Sequence, residues 1–246
     1  MSVAIIGGTG LTSLAGLEIT RREVVHTPYG EPSGPITHGV LNGTEVLFLA
    51  RHGYGHTIPP HRVNYRANIW ALKHLGVDRV IAVAAVGGIT EQMAPGVIAF
   101  PNQILDYTWG RNHTFFEVDL THVTHVDFTY PYDAALRELL MRAARSAGLS
   151  FVDGGTYAAT QGPRLETAAE IRRLRADGAD MVGMTGMPEA ALARELGMAY
   201  ATCAVVSNWA AGVHDGETVS LAQIEECLKE GMAKVRLLLA EVVRLL

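Results

Sequence analysis

The sequence predicts an α/β fold: one domain over residues 1–246, with a mixed, largely parallel twisted sheet flanked by helices. Three observations carry this expectation. Six short runs, 3–6, 45–50, 80–86, 97–100, 181–183 and 200–206, are apolar at nearly every position and do not alternate. Strands of that kind have both faces covered, as in parallel sheets with helices on either side. Several intervening segments carry the apolar spacing of amphipathic helices instead. Composition agrees, since 48% of the 246 residues are hydrophobic and 18% charged. That suffices for a sizeable core and is too apolar for a disordered chain.

The first strand begins at residue 3, with neither a basic segment nor a long apolar stretch before it, and nowhere do 18 apolar residues run together. These features predict a cytoplasmic protein that does not span a membrane. After strand 45–50 comes a helix over 63–75, with Tyr65, Ile69 and Leu72 on one face. Strands 80–86 and 97–100 follow. The segment 108–130 is polar, rich in histidine and aromatic residues, and aperiodic, and a loop of that length is usually functional or sits at a subunit contact. Helix 132–147 is clearly amphipathic, and helix 167–176 follows a Gly-Pro turn. Strand 181–183 leads to a helix over 188–196 opening on Pro188, where the missing N–H is harmless. Beyond strand 200–206, a long helix over 220–246 takes Ser220 as its N-cap. The formal charge of −5 argues against a nucleic-acid partner. Cys203 and Cys227 are too few for a disulfide framework and match no zinc motif, so two reduced core thiols and no metal are expected.

Five polar or glycine-rich tips follow apolar strands. The first, Gly7-Gly8-Thr9-Gly10, offers backbone N–H groups and a hydroxyl to an anion, or is a plain tight turn. It fails as a dinucleotide fingerprint, because Ser13 stands where the third glycine belongs. The second, Arg51-His52-Gly53, offers a fork of donors to phosphate, or is a solvated surface pair. Beside these two, a third strand ends in Ala84-Ala85-Val86-Gly87-Gly88, where small residues permit close approach to a ligand. The fourth is Met184-Thr185-Gly186-Met187-Pro188-Glu189, in which Thr185 can bind an anion, Met184 can pack on a sugar, and Glu189 is a first-turn acid or a hydroxyl-binding group. The fifth is Ser207-Asn208-Trp209, a turn or a recognition site. The remaining one of the five, Thr160 to Thr167, holds a Gly-Pro turn, with Glu166 at a helix start where the dipole favours its ionised form, or as an ordinary first-turn glutamate. Ligands of open α/β sheets gather at the carboxyl ends of strands, so the clustering points to a site assembled from loops.

These tips, together with Arg51-His52-Gly53-Tyr54-Gly55-His56-Thr57 and the run from Val63 to Trp70, resemble the trimeric purine nucleoside phosphorylase and methylthioadenosine phosphorylase family. The resemblance runs almost the whole chain. It implies cleavage of a purine N-glycosidic bond by inorganic phosphate as co-substrate, with no metal or organic cofactor, in a homotrimer. It implies that phosphate is held by Thr9, Arg51, His52, Thr185 and backbone near Ala85, and that Arg51, His52 and Asn208 act in catalysis. Ala84 departs from the family, whose methylthioadenosine members carry threonine there. The base would meet Glu166, Asn208 and Leu165. Asn208 and Ala210 replace two aspartates of the adenine enzymes, and Glu166 matches the 6-oxopurine enzymes. Ionised Glu166 only accepts, which suits the N1–H of hypoxanthine and opposes the bare N1 of adenine. The sugar would rest on Met184 and His56, with Leu221 and Ile224 forming an apolar pocket for a 5'-methylthio group. Leu221 stands where 5'-hydroxyl enzymes have histidine. His125 matches a histidine that reaches a neighbouring subunit's site, or is an ordinary loop residue. His214 and Asp215 fit a lid contact better than a catalytic dyad. Trp109, Phe115 and Phe116 suit a subunit interface better than a nucleic-acid platform. The readings left open are a methylthioadenosine or an inosine/guanosine phosphorylase within the family. Outside it stand a hydrolytic nucleosidase and a dinucleotide-binding module.

Overall fold

Eleven strands and five helices succeed one another in the computed structural model, which describes residues 2–118, 120–214 and 218–246. In chain order they are β1 (Ser2–Gly7), β2 (Glu18–Glu23), β3 (Ile36–Leu41), β4 (Thr44–Ala50), α1 (Tyr65–His74), β5 (Val77–Gly88), β6 (Ile98–Phe100), β7 (Gln103–Asp106), α2 (Ala134–Ser146), β8 (Phe151–Asp153), β9 (Thr156–Ala159), α3 (Ala168–Ala176), β10 (Met181–Gly183), α4 (Gly186–Glu195), β11 (Ala199–Trp209) and α5 (Leu221–Leu245). All eleven strands join one mixed sheet in the order β2-β3-β4-β1-β5-β10-β9-β7, which forks at β5. The other arm runs from β5 through β11 and β6 to β8.

The most apolar run of the chain becomes β5, at the centre. β1 and β11 flank it in parallel, and its last two glycines pair antiparallel with β10. Side chains alternate across a strand, and both sides of β5 are covered. Val80, Ala82 and Ala84 join a core with Tyr65, Ile69 and Leu72 of α1 and Leu192 of α4. Ile81 and Val83 join another with Leu140 of α2 and Val235 and Leu239 of α5. Each fully buried Leu or Ile contributes roughly 1.5–3 kcal/mol. Helix ends follow their caps. Asn64, Asp133, Thr167 and Ser220 each accept a backbone N–H of the first turn, and Thr167 closes a capping box with Glu170. Thr167 is therefore the cap and not the first helical residue. α4 is broken at Met187 (φ −122°, ψ 141°), so its regular turns begin at Pro188, as expected.

Five strands carry no apolar run that announces them. β2, EITRRE, is a charged edge strand paired only with β3, and edge strands keep such charges to discourage further pairing. β8 and β9 are three and four residues long, too short to show a period. The segment 108–130 is irregular throughout its described residues. Phe115 packs edge-on against Tyr29 at 5.1 Å within the chain, whereas Trp109 is exposed. Both cysteines are unpaired, Cys203 buried and Cys227 half-buried. No helix among the described residues is long and apolar enough to cross a membrane.

Candidate active site

Parallel β1 and β4 end side by side, with Gly7 opposite Ala50, and the Arg51 N–H donates to the Gly7 carbonyl at 3.0 Å. Their two tips, with those of β5, β10 and β11, surround a cavity of about 600 Å³. That is a size suited to a small-molecule site. Thr9, Arg51, His52, Ala85 and Thr185 line one part of it. Arg51 is 1% exposed. Its Nε and Nη2 donate to the Glu189 carboxylate at 2.7 and 2.8 Å, and its Nη1 donates to the Val83 carbonyl at 2.9 Å. Burial alone would favour the neutral guanidine, but the Glu189 carboxylate outweighs it and holds the group charged. Of the five N–H donors of a guanidinium, two remain for a ligand. Gly8 permits this layout, because a Cβ there would stand 2.5 Å from the Val83 carbonyl and 3.0 Å from Arg51 Nη1.

His52 is turned by its own loop. Its carbonyl accepts from the N–H groups of Thr57 and Ile58, and Nδ1 donates to the Ile58 carbonyl at 2.8 Å. The tautomer then leaves Nε2 with a lone pair. His56, in the left-handed region at φ 51°, reaches Thr9 Oγ1 with Nε2 at 3.2 Å. Thr185 precedes α4, yet its hydroxyl makes no cap bond there. Its N–H donates to the Tyr157 hydroxyl at 3.3 Å. Gly183 is required beside it, since a Cβ would meet that hydroxyl at 2.1 Å.

The same cavity is lined by Met184, Leu165, Glu166 and Asn208. The register of β11 against β5 slips between Val206 and Asn208, leaving Ser207 as the extra residue. A bulge of this kind re-aims side chains, and here consecutive Ser207 and Asn208 both face the cavity. The Asn208 amide is partly engaged, donating to the Trp209 carbonyl and accepting from the Ser207 hydroxyl, both at 2.8 Å. One amide N–H stays available. Glu166, just before the α3 cap, accepts from the Thr160 hydroxyl at 2.5 Å. Val219, Leu221, Ile224 and Leu228 add apolar groups to the lining, Leu228 buried and Leu221 69% exposed.

The model of the phosphorylase superfamily matches residues 2–244. The chain belongs to that superfamily. A probable S-methyl-5'-thioinosine phosphorylase of Pseudomonas syringae is 57% identical over 98% of this chain and 97% of its own. A 6-oxopurine nucleoside phosphorylase of Pyrococcus furiosus is 49% identical over 98% and 91%. The methylthioadenosine phosphorylase of Schistosoma mansoni, solved with adenine, superposes with a TM-score of 0.95 at 34% identity, covering 100% of this chain and 91% of that one.

In this phosphorylase twelve of the residues named from the sequence line the cavity, and other buried polar groups beside it carry no sequence signal. Glu189 is not a surface first-turn acid. It is 0% exposed, and besides Arg51 it accepts from the Tyr200 hydroxyl at 2.8 Å. Nothing in the local sequence separates those two fates. Arg111, from the irregular segment, is buried among loop carbonyls and was unforeseen. His125 is exposed and lies outside this chain's cavity. His214 packs edge-on against Trp209 at 5.0 Å, beside a neighbouring pocket that shares Asn208, while Asp215 lies outside the described residues.

His52 also sets a stability expectation. Burial, then the Arg51 charge, push its pKa from 6.5 down to about 4, against the opposing bond to Ile58. Between those values the unfolded chain takes a proton that the folded one refuses, so stability is full above pH 6.5 and falls toward about pH 4. The loss should be on the order of 3 kcal/mol. Urea unfolding of wild type and His52→Asn without phosphate, across that window, should show the shallower pH slope in the variant; parallel slopes would refute it.

Proposed function

We propose that this phosphorylase cleaves S-methyl-5'-thioinosine with inorganic phosphate, giving hypoxanthine and 5-methylthioribose 1-phosphate. One observation carries the choice of base: Glu166 and Asn208 line the same cavity as Arg51. An acceptor and an amide donor there match the N1–H and O6 of hypoxanthine. Adenine would leave buried polar groups mismatched, and sites built on hydrogen bonds reject such analogues strongly. The apolar lining at Leu221 and Ile224 supports a thioether at the 5' position, which packs well and leaves no polar group to desolvate. The 57% identity to a protein named for this activity supports the same reading.

In the mechanism, phosphate sits under C1' against Arg51, Thr9, Thr185 and His52. The bond from C1' to the base nitrogen breaks, its electron pair goes to the purine, and the purine leaves as neutral hypoxanthine by taking the proton that the monohydrogen phosphate brought in and its ester gives up. Positive charge builds on the ribose as an oxocarbenium-like centre, and a phosphate oxygen closes on C1'. Arg51, with two free N–H donors, holds the nucleophile in place, a contribution of the positioning kind. Asn208 donates to the base edge as negative charge grows there, as a preorganised donor should. Met184 supports the sugar. The reaction needs no metal or organic cofactor. We assign the chemistry to one domain over residues 1–246, in a cytoplasmic homotrimer. In it, His125 would reach a neighbouring subunit's cavity, which agrees with its exposure.

The test is base release from methylthioinosine, methylthioadenosine and inosine in parallel, each with and without phosphate. Methylthioinosine should lead, and only with phosphate. A lead for methylthioadenosine would overturn the reading of Asn208 and Glu166, and a lead for inosine that of the Leu221 pocket. Turnover without phosphate would overturn the mechanism.

A further inference from the structure

Arg111 stands outside the cavity yet touches both loops that build its base-and-sugar side. It is 8% exposed, and among the described residues no ion pair includes it. Its guanidinium is spent on neutral acceptors instead. Nη2 donates to the carbonyls of Thr160 and Gln161 at 3.2 and 2.9 Å, and Nε to Gln161 Oε1 at 3.0 Å. Nη1 faces the carbonyls of Met184 and Met187 at 2.8 and 2.7 Å and the Tyr65 hydroxyl at 3.2 Å. One planar fork therefore spans two loops. The first carries Thr160, whose hydroxyl holds Glu166. The second carries Met184 and Thr185. The loops are joined besides by the Thr160 N–H on the Gly183 carbonyl at 2.8 Å, where β9 and β10 end.

We propose that Arg111 is a positioning residue that sets Glu166 and Met184 in register with one another, and so sets base discrimination and turnover without touching substrate. The assignment rests on the proposed function for the roles of those two residues. The geometry calls for arginine in particular. Carbonyls on two loops need a flat, multidirectional donor, and lysine offers three donors from one atom. Four of its six acceptors are main-chain carbonyls, so Arg111 fixes loop backbone as well as the Gln161 and Tyr65 side chains. Sites left about 1 Å loose by a missing support lose much of their rate.

Arg111→Ala and Arg111→Lys should each be compared with wild type on methylthioinosine and methylthioadenosine, with kcat and KM resolved for nucleoside and for phosphate. In folded Arg111→Ala, kcat/KM for methylthioinosine should fall about 100-fold. The preference for the 6-oxopurine should shrink with it, while the phosphate KM changes less. Guanidinium at non-denaturing concentration should restore part of the rate. A folded Arg111→Ala with wild-type rate and preference would overturn the assignment, and so would a rate loss with base preference intact and no guanidinium rescue. If the alanine variant does not fold, Arg111→Lys decides: reduced preference supports the assignment, and a wild-type ratio overturns it. A wild type idle on every nucleoside would overturn the functional reading and this assignment together. A working wild type with an indistinguishable Arg111→Lys would overturn this assignment alone.

Discussion

Glu189→Gln is expected to lower the unfolding free energy by about 3–5 kcal/mol, the usual penalty for breaking one side of a buried ion pair. The reason is Arg51. Its guanidinium is 1% exposed, and the Glu189 carboxylate meets it through two bonds of 2.7 and 2.8 Å. Glutamine keeps the shape and removes the charge. Its amide end turns donors toward an arginine N–H, or toward the Tyr200 hydroxyl that now donates to the same carboxylate. For a chain of this size such a loss lowers the melting temperature by roughly 6–20 °C. Phosphate should recover part of it, because an anion on the two remaining Arg51 donors would compensate the orphaned charge, and ligand that binds only the folded state stabilises it. Thermal melts of wild type and variant, each with and without phosphate, check both parts. A variant that melts with wild type would show the pair to be dispensable. A variant that melts early and gains no more from phosphate than wild type would separate Arg51 from the anion site.

Asn208→Asp should reduce kcat/KM for methylthioinosine by about 100- to 1000-fold, the range for removing one preorganised donor from a developing anion. In the proposed assignment asparagine brings an N–H to the base edge, whereas ionised aspartate only accepts. The purine gains electron density as the glycosidic bond breaks, so the lost interaction strengthens toward the transition state. The deficit should therefore fall on kcat more than on KM. Glu166 lines the same cavity, and a second carboxylate would add repulsion. Methylthioadenosine should lose less, since its exocyclic amine can donate to the new carboxylate. Steady-state kinetics on the two nucleosides decides. A variant with intact methylthioinosine turnover would remove Asn208 from the mechanism, and equal losses on both substrates would mean that it does not read the base.

What the sequence showed and what it hid divide along a physical line. The strand tips were legible because buried strands lack alternation and because glycine, arginine and asparagine are conspicuous after apolar runs. Thr9, Arg51, Thr185 and Asn208 were found that way, and all line one cavity. Glu189 was ambiguous because its partner lies 138 residues away, and no local pattern tells a buried first-turn acid from an exposed one. Arg111 was invisible for a further reason. Its acceptors are mostly main-chain carbonyls, at 160, 161, 184 and 187, and carbonyls are the same in every residue. β2 was hidden by its own charges, which an edge strand tolerates and a buried one does not.

The extra residue at Ser207 bears on how such a site can change. Beyond it the ladder resumes, with Asn208 opposite Gly87 and Trp209 opposite Gly88. The neighbours across the ladder are thus two glycines, with no side chains to displace. A Cβ on Gly87 would come within 3.3 Å of Val182 and 3.4 Å of Ala210, so β10 and the end of β11 pack close against that glycine. An exchange at 208 therefore meets no side chain on the β5 residues opposite, and its local cost is confined to the bonds that Asn208 makes to Ser207 and Trp209. A change of base preference at this position is thus expected to leave the β5–β11 ladder in place.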